Sequence, residues 1–139
     1  MPRNPSVALV FAAVAAVMAA SPALAEGDAA EGKKAFRKCA ACHTVDQGNR
    51  VGPNLAGIVG RPVASLEGFR YSAAMRAFAE DGPGDGPGGG KVWDEALLAE
   101  YLAAPRTLVK GTSMVFAGIR NADEMANLIA YLKDPAGAD

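Results

Sequence analysis

The residues best suited to chemistry in this chain are Cys39-Ala40-Ala41-Cys42-His43. Cys39 and Cys42 are its only cysteines and His43 is its only histidine. Four chemistries use thiols at this spacing. A dithiol redox motif sits beside a βαβ pattern, and no stretch here alternates as a strand does. A structural zinc site takes four Cys or His ligands; this chain offers three, with Cys42 and His43 adjacent. A structural disulfide would close a very small ring and leave His43 without a role. The fourth is Cys-x-x-Cys-His, the c-type haem attachment sequence. There the thiols add to the haem vinyl groups as thioethers, and the histidine beside the second anchor is delivered to the iron. The motif occurs once, so it predicts one covalent haem c.

An iron held by His43 has a second axial position, and no second histidine exists to fill it. Beyond the N-terminal segment the methionines are Met75, Met114 and Met125. Met125 belongs to an apolar helical stripe and reads as core. Met75 lies in a weak helix and reads as core or as cofactor wall. Met114 lies between Gly111 and Gly118, in a loop with no helical stripe to belong to, and is the favoured ligand.

These residues need elements to hold them. The 139-residue length predicts one domain with a short appendage. Arg3, an apolar run over 7–20 and the small-residue sequence Ser21-Pro22-Ala23-Leu24-Ala25 have the layout of a secretory signal, cleaved after Ala25. The run is shorter than the ~20 residues that span a bilayer. Residues 1–25 are therefore read as a signal peptide and 26–139 as the functional domain, exported to the periplasm. Cleavage removes one of 14 basic residues and none of the 15 acidic ones, leaving a charge of about −2. That is not the basic balance of a nucleic-acid binder.

Within the domain, Asp28 followed by Glu31 reads as a helix start, with one apolar face over 28–39. A short helix is expected over 71–79 and a clear one over 93–103, with Pro105 just past its end. Asn121 with Glu124 opens a last helix, whose apolar face is Met125, Leu128, Ile129 and Leu132. Residues 81–90 are six glycines, two prolines and two aspartates, which read as a flexible surface loop without packing capacity. The fold is expected to be all-α: three main helices plus long ordered loops wrapped around the haem. More than thirty residues separate the first two clear helices, too many for an ordinary loop. A large buried prosthetic group would organise them.

Further along, the chain resembles the class I cytochromes c, the type shared by mitochondrial cytochrome c and bacterial cytochromes c2. The likeness runs from Gly27 to Lys133 in family order. It is carried by Gly32 and Phe36, then Cys39 to Val45, Gly52-Pro53-Asn54-Leu55, Gly60-Arg61 and Gly68-Phe69-Arg70-Tyr71. Trp93, Tyr101-Leu102, Gly111 to Gly118 and Leu128 to Lys133 complete it. The resemblance implies thioethers on Cys39 and Cys42, with His43 and Met114 as axial iron ligands. It implies that the Pro53 carbonyl accepts a hydrogen bond from the imidazole. Arg61, Tyr71, Trp93 and Thr112 match positions beside the haem propionates, and Tyr101 matches a tyrosine near the methionine sulfur. Gly32 and Phe36 match a close crossing of the first and last helices, opposite Leu128 and Tyr131. Met75 departs from a polar asparagine usual in the family, Lys110 from a proline, and the 81–91 segment is longer than in compact members.

A site with both axial positions filled favours electron transfer over catalysis. The expectation is a monomeric electron carrier, not an enzyme, that docks transiently with membrane redox complexes. Its partners would be a bc1-type complex, a terminal oxidase, a reaction centre or a dehydrogenase. A haem enzyme or gas sensor is the rival reading if Met114 leaves the iron, and a thiol-disulfide protein a remote third. Lys33, Lys34, Arg37, Lys38 and Lys110 are candidates for a positive ring near the haem edge.

Overall fold

The computed structural model describes residues 26–82 and 84–138. The signal-peptide reading of residues 1–25 lies outside them. Five α-helices follow one another: α1 Ala29–Phe36, α2 Ala73–Glu80, α3 Glu95–Ala103, α4 Pro105–Leu108 and α5 Ala122–Lys133. No strand occurs among the described residues, where the only extended pairing is an isolated antiparallel bridge between Pro62 and Val92.

Side-chain caps set the helix starts. Asp28 accepts from the Glu31 amide at 3.0 Å, Ser72 from Met75 at 3.1 Å, Asp94 from Leu97 at 2.7 Å and Asn121 from Glu124 at 2.8 Å. Each satisfies an amide that has no partner inside its own helix. The Asp94 cap corrects the expected start of the third helix: it begins at Glu95, not Trp93. Trp93 lies on the extended stretch before it, where its amide donates to the Arg61 carbonyl at 2.9 Å. Pro105 both stops α3 and opens α4, since a proline suits the first position of a helix, where no amide is needed. With eight residues, α2 is as long as α1, and it starts two residues later than the helix expected over 71–79, because Ser72 takes the cap.

The core is built where α1 crosses α5. An ideal Cβ on Gly32 would lie 1.9 Å from the Asn127 carbonyl oxygen and 2.7 Å from the Tyr131 Cβ. The two backbones meet at that point, so a residue that costs about 1 kcal/mol within a helix is retained there. One turn on, the Phe36 and Tyr131 rings pack at 5.3 Å between centroids. Leu128 is fully buried beneath them.

The glycine-rich loop differs from its expectation. The Gly84 amide donates to the Gly89 carbonyl and the Gly86 amide to that of Gly90, both at 2.9 Å, and residues Pro87–Gly89 form a 3₁₀ turn. With almost no side chains in the way, the backbone closes on itself and satisfies its own polar groups. At its end the Lys91 amide donates to the Ala79 carbonyl at 2.9 Å, which ties the loop to α2.

Candidate haem site

Past Phe36 the chain leaves the helix through a series of turns. The Cys39 and Ala40 amides donate to the Phe36 carbonyl at 2.8 and 3.0 Å, and the Cys42 and His43 amides to that of Cys39 at 3.0 and 2.9 Å. This carries both thiols and the imidazole to the wall of one cavity of about 310 Å³. Its size is in the range of small-molecule and cofactor sites. The other walls come from the loop after His43, from α2 and α3, from the Met114 loop and from Leu128 and Leu132 of α5. All ten residues singled out in the sequence line this cavity: Cys39, Cys42, His43, Pro53, Arg61, Tyr71, Trp93, Tyr101, Thr112 and Met114. Met125 is buried in the core away from it, whereas Met75 is both buried and on its wall.

The His43 ring is held in one orientation by a main-chain acceptor. Its Nδ1 lies 2.8 Å from the Pro53 carbonyl oxygen. A carbonyl only accepts, so Nδ1 carries the proton and donates it, which leaves the Nε2 lone pair for a metal. Gly52 makes room for the ring: a Cβ there would lie 2.4 Å from Cε1 and 2.8 Å from Nε2 of His43. The Gly52 amide in turn donates to the Cys42 carbonyl at 2.8 Å, which locks this wall to the cysteine turn. Burial pushes the Cys39 thiol up to about 11, against the pull of the neighbouring Lys38 ammonium. An acid that weak keeps its proton at neutral pH.

On the methionine side, the Tyr101 hydroxyl donates toward the Met114 Sδ at 3.8 Å and pairs with Thr112 Oγ1 at 3.2 Å. Thr112 Oγ1 also accepts from the Met114 amide at 3.3 Å. Burial raises the Tyr101 phenol above its usual value, and the Thr112 bond lowers it in part. The phenol therefore stays a proton donor. The Trp93 ring packs against that of Tyr101, with centroids 5.1 Å apart and planes tilted by 46°.

Arg61 lines the cavity with its guanidinium turned onto main-chain acceptors. Its Nη2 donates to the Asn54 carbonyl at 2.8 Å and its Nη1 to that of Ala56 at 3.3 Å. Its Nε is buried and has no partner, the one such side-chain atom among the described residues. Burial holds the guanidinium below its ordinary value, with Tyr71 pulling it partly back up. A buried, unpaired N–H on a cation calls for an anion.

The cytochrome c family model matches residues 29–135. The chain belongs to the cytochrome c family. Cytochrome c-554 of Methylosinus trichosporium is 40% identical over 139 residues, covering 99% of this chain and 96% of that protein. Cytochrome c2 of Afifella marina is 43% identical over 106 residues, covering 75% of this chain and 79% of that one. Among solved structures, cytochrome cH from Methylobacterium extorquens is 41% identical with a TM-score of 0.66, covering 77% of this chain and 98% of that one. The fold is thus the all-α class I cytochrome c fold, and the cofactor is one covalent haem c. As in its relatives, the haem serves electron transport.

The residues of this cytochrome fit that group. Two thiols stand on one wall, a nitrogen and a sulfur suited to iron are both present, and the lining is largely apolar. The unpartnered Arg61 Nε suits a haem carboxylate. Sequence reasoning gave Gly52 no task, though its place in Gly52-Pro53-Asn54-Leu55 beside the histidine was a usable signal. It missed the Asn54 and Ala56 carbonyls that aim Arg61, because main-chain acceptors leave no trace in residue types. It also missed Ser72, Leu98 and Phe116 as lining residues.

Proposed function

We propose that this cytochrome is an exported carrier that passes single electrons between redox partners in the periplasm. In this reading Cys39 and Cys42 would hold the haem through thioethers, and His43 Nε2 and Met114 Sδ would bind its iron. When bound, the haem supplies a one-electron couple. The chain's residues set its conditions. Pro53 fixes the imidazole tautomer, which makes Nε2 a better donor. Tyr101 and Thr112 hold the methionine sulfur in place. Arg61, Tyr71, Trp93 and Thr112, all on the cavity lining, would offer positive charge and hydrogen bonds to the propionates. The apolar wall disfavours extra charge on the metal, and with histidine–methionine ligation it raises the potential.

The single observation that carries this reading is the convergence on one cavity of an imidazole oriented by the Pro53 carbonyl and a tyrosine-held thioether, beside both thiols. A haem iron held by both His43 and Met114 would have no open site for substrate turnover, and the haem would supply one-electron chemistry. Membrane complexes of the bc1, oxidase, reaction-centre or dehydrogenase type are the partner class, met transiently by a monomer. No helix among the described residues is long and apolar enough to cross a membrane. Cleavage after Ala25 would release the domain that begins at Glu26.

The test is a visible spectrum of the exported protein with a redox titration, and carbon monoxide added to the reduced form. The reading expects one reversible couple, colour that resists acidified organic solvent, and no carbon monoxide adduct at neutral pH. Prompt adduct formation would instead indicate an open iron site and the sensor or enzyme reading.

A further inference from the structure

The glycine-rich loop carries the same tripeptide twice, as Asp81-Gly82-Pro83 and Asp85-Gly86-Pro87. These hold the only Asp-Gly steps in the chain, which has no Asn-Gly step. Aspartate before glycine is the pairing best able to close a cyclic imide. Its short carboxyl reaches the next main-chain nitrogen, and glycine has no side chain to shield that nitrogen. By sequence alone the two copies should react alike.

The structure separates them. The Gly86 amide is engaged, donating to the Gly90 carbonyl at 2.9 Å. Gly86 is also half-buried and crowded: a Cβ there would lie 2.7 Å from the Gly90 carbonyl oxygen and 3.1 Å from Val92 Cγ2. Gly82 differs on both counts. Asp81 caps α2 with extended backbone (φ −78°, ψ 110°), so the helical ladder stops short of the Gly82 amide. Among the described residues no acceptor lies within hydrogen-bond distance of that amide. Asp81 and Gly82 are both exposed. A Cβ on Gly82 would approach only the Lys91 ammonium, at 3.7 Å, the far end of a flexible side chain. The Asp81 carboxyl can therefore swing onto the Gly82 nitrogen without breaking a hydrogen bond of that amide or displacing backbone.

We infer that Asp81 is a modification site, where this chain converts aspartate to isoaspartate, and that Asp85 is spared. The Gly82 nitrogen loses its proton and bonds to Asp81 Cγ, while the Cγ–O bond of the protonated carboxyl breaks and water leaves. Water then returns to the imide. Addition at Cγ restores aspartate. Addition at the Asp81 main-chain carbonyl carbon breaks the original peptide bond and leaves the chain running through Cγ. No electron is gained or lost, and the final mass equals the starting mass. The product has one extra methylene in the main chain between α2 and Lys91, whose amide is tied to the Ala79 carbonyl of α2 at 2.9 Å. It lengthens the segment which that bond closes.

The test is incubation of the holoprotein at neutral pH in water enriched in heavy oxygen. Each cycle of ring closure and opening leaves one heavy oxygen in the residue. Digestion and fragment masses then assign the label to Asp81 or Asp85. The Gly86 bond must open before its nitrogen can react, and an ordinary hydrogen bond should slow that step by about fivefold. Label should therefore build up at Asp81 about fivefold faster than at Asp85, or more where crowding adds to the bond. In protein held unfolded in urea the two positions should label alike, since their tripeptides are identical. Asp81→Glu, whose longer side chain closes a larger ring more slowly, should lose the label at that position and leave Asp85 as slow as before. Equal labelling of both positions in the folded protein, or faster labelling at Asp85, would overturn the inference. So would a difference that persists in urea, or an Asp81 that stays unlabelled in the folded protein over a time that labels the unfolded one.

Discussion

The histidine wall and the methionine wall of the cavity are built differently. His43 follows the second cysteine directly, and its ring is fixed by a 2.8 Å bond to Pro53 and by the flat face of Gly52. The wall is then stitched by backbone bonds from Gly52 to Cys42 and from Leu55 to Thr44, both at 2.8 Å. Met114 has no such frame. It lies on an irregular stretch between α4 and α5, and its sulfur is touched by one hydroxyl at 3.8 Å. Thr112 supports this arrangement by pairing with the Tyr101 hydroxyl at 3.2 Å and accepting from the Met114 amide at 3.3 Å. Short bonds to backbone outweigh a long contact to sulfur, a weak acceptor. The lesson is that one ligand is over-determined and the other is held by a few soft contacts. Disturbance should reach the metal first through methionine.

The largest effect is expected from Gly52→Ala. The new methyl would overlap the imidazole, and both neighbours are tied to backbone, so neither yields easily. Overpacking of this kind costs about 1–3 kcal/mol. Chemical denaturation of the holoprotein should show a loss in that range together with altered haem absorbance. A wild-type midpoint would mean that the histidine wall is far looser than its contacts suggest.

A smaller effect is expected from Tyr101→Phe. It removes the hydroxyl that serves both Thr112 and Met114 and leaves the ring packing on Trp93. The cost should be about 1 kcal/mol, the net worth of an ordinary hydrogen bond. The informative readout is the pH at which the ferric protein loses its sulfur-to-iron band, which should fall as the sulfur is held less firmly. A band as durable as in wild type would show that Tyr101 does not support the sulfur.

The smallest effect is expected from shortening the glycine-rich loop by removing residues 84–89. Its bonds are internal, and it puts no large apolar side chain into the core. Closure entropy changes by only about 0.6 kcal/mol for each doubling of length. Thermal unfolding should move by a degree or two at most, with the spectrum unchanged. A large fall in stability would mean that the loop braces α2 against the haem pocket.

These regions also differ in how far the sequence disclosed them. Helix starts were legible at Asp28 and Asn121, because a cap residue and an apolar stripe coincide there. The α1–α5 crossing was legible through Gly32, whose cost inside a helix has no local explanation. Trp93 was placed in a helix because its apolar character matches the stripe after it, whereas Asp94 claims the cap and leaves Trp93 extended. Pro105 was read only as a stop, although the same ring opens α4. The closure of the glycine loop could not be read, since backbone-to-backbone bonds do not depend on side-chain type. At the site, residue types placed thiols, imidazole and thioether on one cavity, because their chemistry limits what they are for. The pairing of Lys38 with Glu124 was invisible, since it joins positions 86 residues apart.

The account depends most on Met114 as the second iron ligand, and one measurement addresses it: the far-red absorbance of the ferric protein at neutral pH in methionine variants. Met75 lines the same cavity and Met125 fills the core, so each is a built-in control. The account predicts that the weak sulfur-to-iron band is present in wild type and survives Met75→Leu and Met125→Leu, volume-conserving changes that usually cost under about 1.5 kcal/mol. It predicts that the band is absent in Met114→Ala, with a lower potential and a reduced form that binds carbon monoxide. A band that persists in Met114→Ala would contradict the account and pass the ligand to another residue.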